Sequence, residues 1–455
     1  MHYMKAWTDN KKLKQELLKG KFGIEKESLR VDARGYLAAT PHLVMEEEQI
    51  SRDFCESQVE FISGVHLQLH DACDEICELS ALVEEKIALR REGMEFLWTY
   101  SNPPAYDGID QIKIAEFTGA YEEKTEYRKY LAKKYGKVKM LYSGVHFNYS
   151  LPDSLFDIYK DSFAGKDKQA KKNAWYTTLA DALMMDSWLI VALTAASPVA
   201  EERFLTDMEV PEEEWNTYAS FRNSPYGYWN LFIPELSYTD FDGYIESIKK
   251  YLATGKISSI KELYYPIRLK PKGENTLRNL EENGINHIEL RMLDLNPFCC
   301  SGVERKDLIF IHLLIAYRST QLLSMLEKED TPVAERSIKR KLHGIFLEQV
   351  SEKERIQLHQ KASRVSFWEE NPDCKTYASD LLAEMKQYYK EYTADQGYVP
   401  AGYDIFEVLD FEMKKIQRPE CRYAFQIKEK YQQNRSAATF WVKNNPRPFQ
   451  VLCKR

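Results

Sequence analysis

Glu25 and Glu27, in the stretch Phe22-Gly-Ile-Glu-Lys-Glu-Ser-Leu-Arg-Val31, stand two positions apart. A strand sends residues i and i+2 to one face, so both carboxylates point one way and Lys26 the other. Two like charges that close repel unless a cation sits between them. A divalent metal meets that need, and Mg²⁺ in particular prefers oxygen ligands and phosphate partners. The pair alone is a weak signal, because solvated faces of surface strands carry many such pairs. Three further segments repeat its logic.

In Ser143-Gly-Val-His-Phe-Asn-Tyr-Ser-Leu151, Val145, Phe147 and Tyr149 form one face, and Gly144, His146, Asn148 and Ser150 the other. In Asn286-His-Ile-Glu-Leu-Arg-Met-Leu-Asp-Leu295, Ile288, Leu290 and Met292 oppose His287, Glu289, Arg291 and Leu293. Glu289 and Arg291 read either as a surface ion pair or as a metal ligand beside a phosphate-binding guanidinium. In Arg52-Asp-Phe-Cys-Glu-Ser-Gln-Val-Glu-Phe61, an extended chain places Glu56, Gln58 and Glu60 on one face, with Asp53 just before them. If the four segments share a sheet, their polar faces line a common surface. Acids with one His suit two or three hard cations, and the Arg residues add fixed positive charge for phosphate. That is equipment for phosphoryl transfer by positioning and charge neutralisation. No Walker A or G-x-G-x-x-G loop is present, so ATP would bind through metals and Arg.

The elements that must position these residues are mixed in order. A short helix is expected at 10–20, helices at 67–98, 121–135, 174–196 and 242–254, and mainly helix from 303 onward. Strands are expected around Glu25, over 142–151 and over 287–294. A Lys- and Asp-rich loop is expected at 160–172. Without regular β-α repeats, this predicts an α+β fold with a mostly antiparallel sheet. The chain has 455 residues, 44% of them hydrophobic, enough for a large core. The net charge of −7 argues against a nucleic-acid surface. The N-terminal residues do not read as a signal peptide, and the apolar run Trp188–Pro198 is too short to span a bilayer, so neither nucleic acid nor membrane is expected as a partner. Cys55, Cys73, Cys77, Cys299, Cys300, Cys374, Cys421 and Cys453 show no zinc spacing and are expected as thiols in a reducing cytoplasm.

The stretches Gly23–Val31, Ser143–Pro152, Glu262-Leu-Tyr-Tyr-Pro-Ile-Arg268 and Ile288–Phe298 resemble bacterial glutamate–cysteine ligase (γ-glutamylcysteine synthetase), in order from about residue 15 to 305. The resemblance implies a glutamine-synthetase-like core, a curved antiparallel sheet forming a funnel backed by helices. It implies that ATP phosphorylates the γ-carboxylate of glutamate and that the amino group of cysteine attacks the γ-glutamyl phosphate, the first step of glutathione biosynthesis. Carried over residue by residue, Glu25, Glu27, Asp53, Glu60, His146 and Glu289 look like ligands of two or three Mg²⁺ ions, with Mn²⁺ an alternative. Arg291 and Arg268 look like catalytic residues beside the phosphate. Tyr127 and Arg128 look like the part that contacts substrate carboxylate and phosphate, whereas Arg222, Tyr228 and Tyr264 look like the pocket for the acceptor amino acid, with Phe54 packed against its side chain. Asp294 and Asn296 are expected to serve a turn or cap. Met140 stands where well-known members carry Gln, which leaves the acceptor amine open. One catalytic domain over 1–455 is expected, with a sheet-rich part to about 305, a mainly helical remainder and no C-terminal ATP-grasp domain. A separate glutathione synthetase is then expected for the next step. The competing readings are a related ligase with another amine acceptor, a metal-dependent hydrolase and a non-catalytic relative.

Overall fold

The computed structural model describes residues 15–42, 49–90, 93–158, 167–326, 351–394 and 404–434. Seven strands make one antiparallel sheet: β1 Lys21–Asp32, β2 Ile50–Arg52, β3 Gln58–Ile62, β4 Glu95–Leu97, β5 Gly144–Ser150, β6 Ile267–Lys270 and β7 His287–Asp294. Their order is β2-β3-β1-β5-β7-β6, and β4 pairs with the far end of β1. The α+β expectation holds. The alternation in β1 and β5 is the reason: Phe22, Ile24, Val145, Phe147 and Tyr149 all enter one apolar core, leaving the acids and His146 on the opposite face.

Helices cover the apolar face. α1 (Leu69–Ala88) lies against β1 and buries Leu69, Cys73, Ile76 and Val83 at helical spacing. α2 (Glu122–Tyr135) flanks the site end of the sheet and closes at Gly136. α3 (Lys168–Thr194) is capped by Asp167, whose side chain accepts from the Ala170 amide at 2.8 Å. It is long and apolar enough to cross a membrane, but 89% of that apolar window is buried inside the protein, as befits a core helix. α4 (Phe241–Ala253), α5 (Arg305–Leu326), α6 (Glu352–Ala362), α7 (Pro372–Ala394), α8 (Ile405–Gln417) and α9 (Tyr423–Asn434) complete the described helices of ten residues or more.

Several expectations need correction. The helix expected to Trp98 ends at Ala88, and Glu95–Leu97 turns back to pair with β1, where buried Arg30 meets Glu95. Residues 52–61 are not one strand. β2 stops at Arg52, and a turn closed by the Gln58 amide on the Cys55 carbonyl (2.9 Å) separates it from β3. Glu56 therefore leaves the shared face and bonds Arg52 and the His42 and Glu116 amides. Cys77 and Cys300 are joined in a disulfide with Cα atoms 5.2 Å apart. They lie 223 residues apart in the chain, so only the packing of α1 under the turn after β7 brings them together. Of the expected helix at 10–20, residues 10–14 lie outside the described residues, as do 160–166 of the expected loop and Cys453.

Candidate active site

The polar face is assembled by strand register. Glu25 sits opposite His146 across β1 and β5, Glu27 opposite Glu60 across β1 and β3, and Arg268 opposite Glu289 across β6 and β7. Directly opposed side chains in an antiparallel pair are near neighbours. The result is two linked acid groups. Glu25, His146 and Glu289 offer ligand atoms within 4.8 Å of one another. Glu27, Glu60 and Asp53, the last from the β2–β3 turn, form the second.

His146 joins the groups. Its Nδ1 lies 3.1 Å from Glu25 Oε2 and 4.0 Å from Glu289 Oε1, and its Nε2 is 3.7 Å from Glu27 Oε1. That Nε2 is buried and has no hydrogen-bond partner among the described residues. Burial and the Arg291 charge push the imidazole down to about 4, so it is neutral and able to ligate. The set suits a hard divalent cation held by carboxylates with one imidazole.

The two groups carry opposite electrostatics. Burial would raise Glu25, but Lys270 and the His146 hydrogen bond outweigh it and hold it at about 2. Burial is likewise overcome at Glu289, which Arg268, Lys270 and Arg291 keep well below the usual range. In the second group Arg222, Arg291 and Arg128 oppose burial without overcoming it. Glu27 is pushed up to about 8 by burial and by Asp53, Glu60 rises well above its usual value for burial, Asp53 and Glu25, and Asp53 rises through burial.

Three cations converge on Glu289: Arg268 Nε at 2.6 Å, Lys270 Nζ at 3.0 Å and Arg291 Nη1 at 3.2 Å. Lys270 was missed in the sequence, although it follows Arg268 by two positions and so shares its face. Asn148, placed on the polar face but given no role, donates to Glu25 Oε1 at 3.0 Å. From Glu25 and Lys270 a cavity of about 1020 Å³ runs outward past Lys21, Lys172, Lys272 and His287.

The other end of the face holds the remaining residues. Phe54, Tyr264 and Met140 share a second apolar cluster, and the Tyr228 and Tyr264 rings lie 4.4 Å apart. Arg222 is buried, and among the described residues its guanidinium makes one hydrogen bond, Nη1 to the Leu293 carbonyl at 3.3 Å. Gly144 makes room for it: a Cβ there would lie 2.4 Å from the guanidinium. A Cβ on Gly227 would likewise strike the Arg222 carbonyl, so the loop from 222 to 228 closes only around glycine. Arg128 donates to the main-chain carbonyls of Asp53, Arg52 and Lys124 and stacks on Phe117, anchoring the Asp53 turn more than facing the cavity. Tyr127 lies on the same helix, stacked on Tyr130, with burial pushing its hydroxyl up to about 12.

One register detail differs from simple alternation. Val145 pairs with Leu293, but Phe147 pairs with Leu290, so β7 carries an extra residue, a bulge at Arg291-Met292. Leu293 thereby joins the core, and Asp294 comes opposite Gly144 on the polar side. Asp294 accepts from the Ala196 amide, Ser197 and Asn223, so it pins distant segments together and does not serve the turn or cap expected of it, whereas Asn296 accepts from the Phe298 amide, the expected turn role.

Residues 6–258 and 252–340 match the family model for glutamate-cysteine ligase. The chain belongs to that family. Among curated relatives, the glutathione biosynthesis bifunctional protein GshAB of Listeria monocytogenes serotype 4b (strain F2365) is 38% identical over 323 residues, covering 68% of this chain and 41% of the relative. The protein of the same name from Clostridium perfringens (strain 13 / Type A) is 36% identical over 319 residues, 67% of this chain and 40% of the relative. The chain thus spans about two fifths of the length of the curated relatives it matches. Those relatives are named as bifunctional and lend no support to a separate enzyme for the next step. The fold is similar to a bifunctional glutathione synthetase from Pasteurella multocida (TM-score 0.76, 23% identity, 99% of this chain, 55% of that one). It is also similar to a glutamate–cysteine ligase from Francisella tularensis in complex with AMP (TM-score 0.74, 20% identity, 96% of this chain, 89% of that one).

Proposed function

We propose that this chain ligates the γ-carboxylate of L-glutamate to the amino group of L-cysteine at the expense of ATP, as in the first step of glutathione biosynthesis. The observation that carries the reading is the meeting of two acid groups, linked by His146, with three cations on one sheet face at the head of the lysine-lined cavity. That cavity, with its lysines, suits a nucleotide. The Arg222–Tyr228–Tyr264 end suits the amino acids.

In this reading a γ-carboxylate oxygen attacks the γ-phosphorus of ATP, the bond to the bridging oxygen breaks and ADP leaves. The cysteine amine then attacks the acyl carbon, phosphate departs and the nitrogen gives up a proton. Glu25, His146 and Glu289, and Glu27, Asp53 and Glu60, would hold Mg²⁺ or Mn²⁺. When bound, such ions neutralise the phosphate and carboxylate charges that otherwise repel. Arg291 and Arg268 present guanidinium charge where charge builds on the transferring group. Their bonds to Glu289 hold them there without freezing a flexible side chain at the moment of reaction. Phe54 and Met140 give the acceptor end apolar surroundings, Arg222 adds positive charge for a substrate carboxylate, and Arg128 holds the Asp53 turn in place. The reading places the reaction in the cytoplasm, where the Cys77–Cys300 bond meets a reducing pool.

A second reading, the same chemistry with another amine, is favoured by one observation: buried, apolar Met140 at the acceptor end. Phosphate release from ATP, Mg²⁺ and glutamate across a panel of amines, with the product mass determined, separates the two. Cysteine-dependent release with the mass of γ-glutamylcysteine is expected. Release with another amine while cysteine is inert would move the function to the second reading.

A further inference from the structure

Helix α6 lies beyond the family-matched residues, yet it reaches the acceptor end of the site. Its His359 is fully buried and lines a small cavity of about 20 Å³ together with Arg222, Tyr228, Tyr264 and Arg291. His359 Nε2 lies 3.1 Å from Asn223 Oδ1. The Asn223 amide can face only one way. Its nitrogen lies 2.9 Å from the Met292 carbonyl and 3.4 Å from Asp294 Oδ1, acceptors that only an N–H can serve. Its oxygen therefore faces His359, and His359 Nε2 carries the proton. Burial and the Arg222 charge push the ring down to about 3, so it is neutral. Trp229 holds it edge-on, with centroids 5.2 Å apart.

The chain after α6 secures the same segment. The Ser363 carbonyl accepts from the Ala219 and Ser220 amides (2.7 and 3.1 Å), and the Val365 amide donates to Thr217 (2.8 Å). The Arg222 guanidinium makes one hydrogen bond among the described residues, and its Nε has no partner there. Beyond the Tyr228 amide that its carbonyl accepts from, its placement depends on what grips its neighbours. Asn223 is that grip, pinned to β7 through its nitrogen and to α6 through its oxygen.

We propose that His359 is a positioning residue for acceptor recognition, setting Arg222 through Asn223, so that a helix outside the family-matched stretch completes the amino-acid pocket. This rests on the ligase reading above. The test is steady-state kinetics with the full chain, varying cysteine, glutamate and ATP in turn. His359→Phe keeps a ring against Trp229 but removes the donor, and His359→Gln puts an N–H back near the Nε2 position. His359→Phe is expected to raise the cysteine KM about tenfold, the scale of leaving a buried acceptor unpaired, while the KM values for glutamate and ATP move by less than about twofold. His359→Gln is expected to recover most of the loss. Should His359→Phe fail to fold, Asn223→Ala removes the same bond from the other side and must give the same cysteine-selective rise. An unchanged cysteine KM, or an equal rise for all three substrates without recovery in His359→Gln, overturns the proposal while leaving the ligase reading intact. A wild-type protein inactive with every amine overturns the ligase reading, and the proposal with it.

Discussion

Glu25 and Glu27 stand two residues apart on one strand, yet they sit at about 2 and about 8. The difference lies in their neighbours. Lys270 and His146 outweigh burial at Glu25, whereas Asp53 adds to burial at Glu27. A free glutamate titrates near 4.5, so in the folded, metal-free chain Glu27 keeps its proton well above that value. The folded state then binds more protons than the unfolded one, and stability falls as pH rises between the two values. This contribution is full below about 4.5 and is lost as pH passes 8. Asp53 and Glu60 act in the same direction. Glu25 and Glu289 are shifted down, so their contribution is lost only as pH falls below 4.5 toward their folded values. In the proposed reading a divalent cation would replace the protons of the second group. The buried histidines, held down at about 3–4, act the other way up to about 6.5, so in EDTA the melting temperature should fall between about pH 6.5 and pH 8.5, and Mg²⁺ should offset the fall and bind more tightly at the upper end. A melting temperature in EDTA that is flat over this range would contradict the assignment of the second acid group.

At the scale of elements, β5 and β7 do more than carry ligands. The bulge at Arg291-Met292 shifts β7 by one side chain, so Arg291 and Asp294 both reach the polar side while Leu293 enters the core. Gly144 then leaves the space that Arg222 fills. Gly144→Ala puts a methyl group into the far end of a flexible side chain, so the fold should survive and Arg222 should move. Overpacking of this kind costs about 1–3 kcal/mol, equivalent to about five- to 150-fold in affinity if the strain falls on the bound geometry. The cysteine KM should rise by that factor in steady-state assays, with little change for ATP. An unaltered cysteine KM would remove Arg222 from the acceptor pocket. Alternation predicted the faces of β1 and β5 because an unbroken strand has a period of two. It misplaced Leu293 and Glu56 because a bulge and a turn each reset that period, and neither leaves a composition signal in these segments.

Across the whole molecule, the six proposed metal ligands could be grouped from the sequence because they lie in four strands and one turn that the sheet brings together. Lys270 was legible too, by the spacing that marks Glu25 and Glu27, but a lysine two residues after an arginine reads first as a solvated edge. His359 and the Cys77–Cys300 bond were not legible. Each depends on packing between segments 136 and 223 residues apart, and helical periodicity tells which face is buried, not what it is buried against. The helices after 351 therefore read as a generic remainder, whereas α6 packs along α3 and closes one wall of the site. In the proposed reaction this assembly activates a carboxylate by phosphorylating it. Glutamate labelled with ¹⁸O in its γ-carboxylate, turned over with ATP, Mg²⁺ and cysteine, tests it directly. The account predicts one labelled oxygen in each phosphate released, because that oxygen bridges carbon and phosphorus before the amine displaces it. Unlabelled phosphate, released alongside the ligated product, would contradict it.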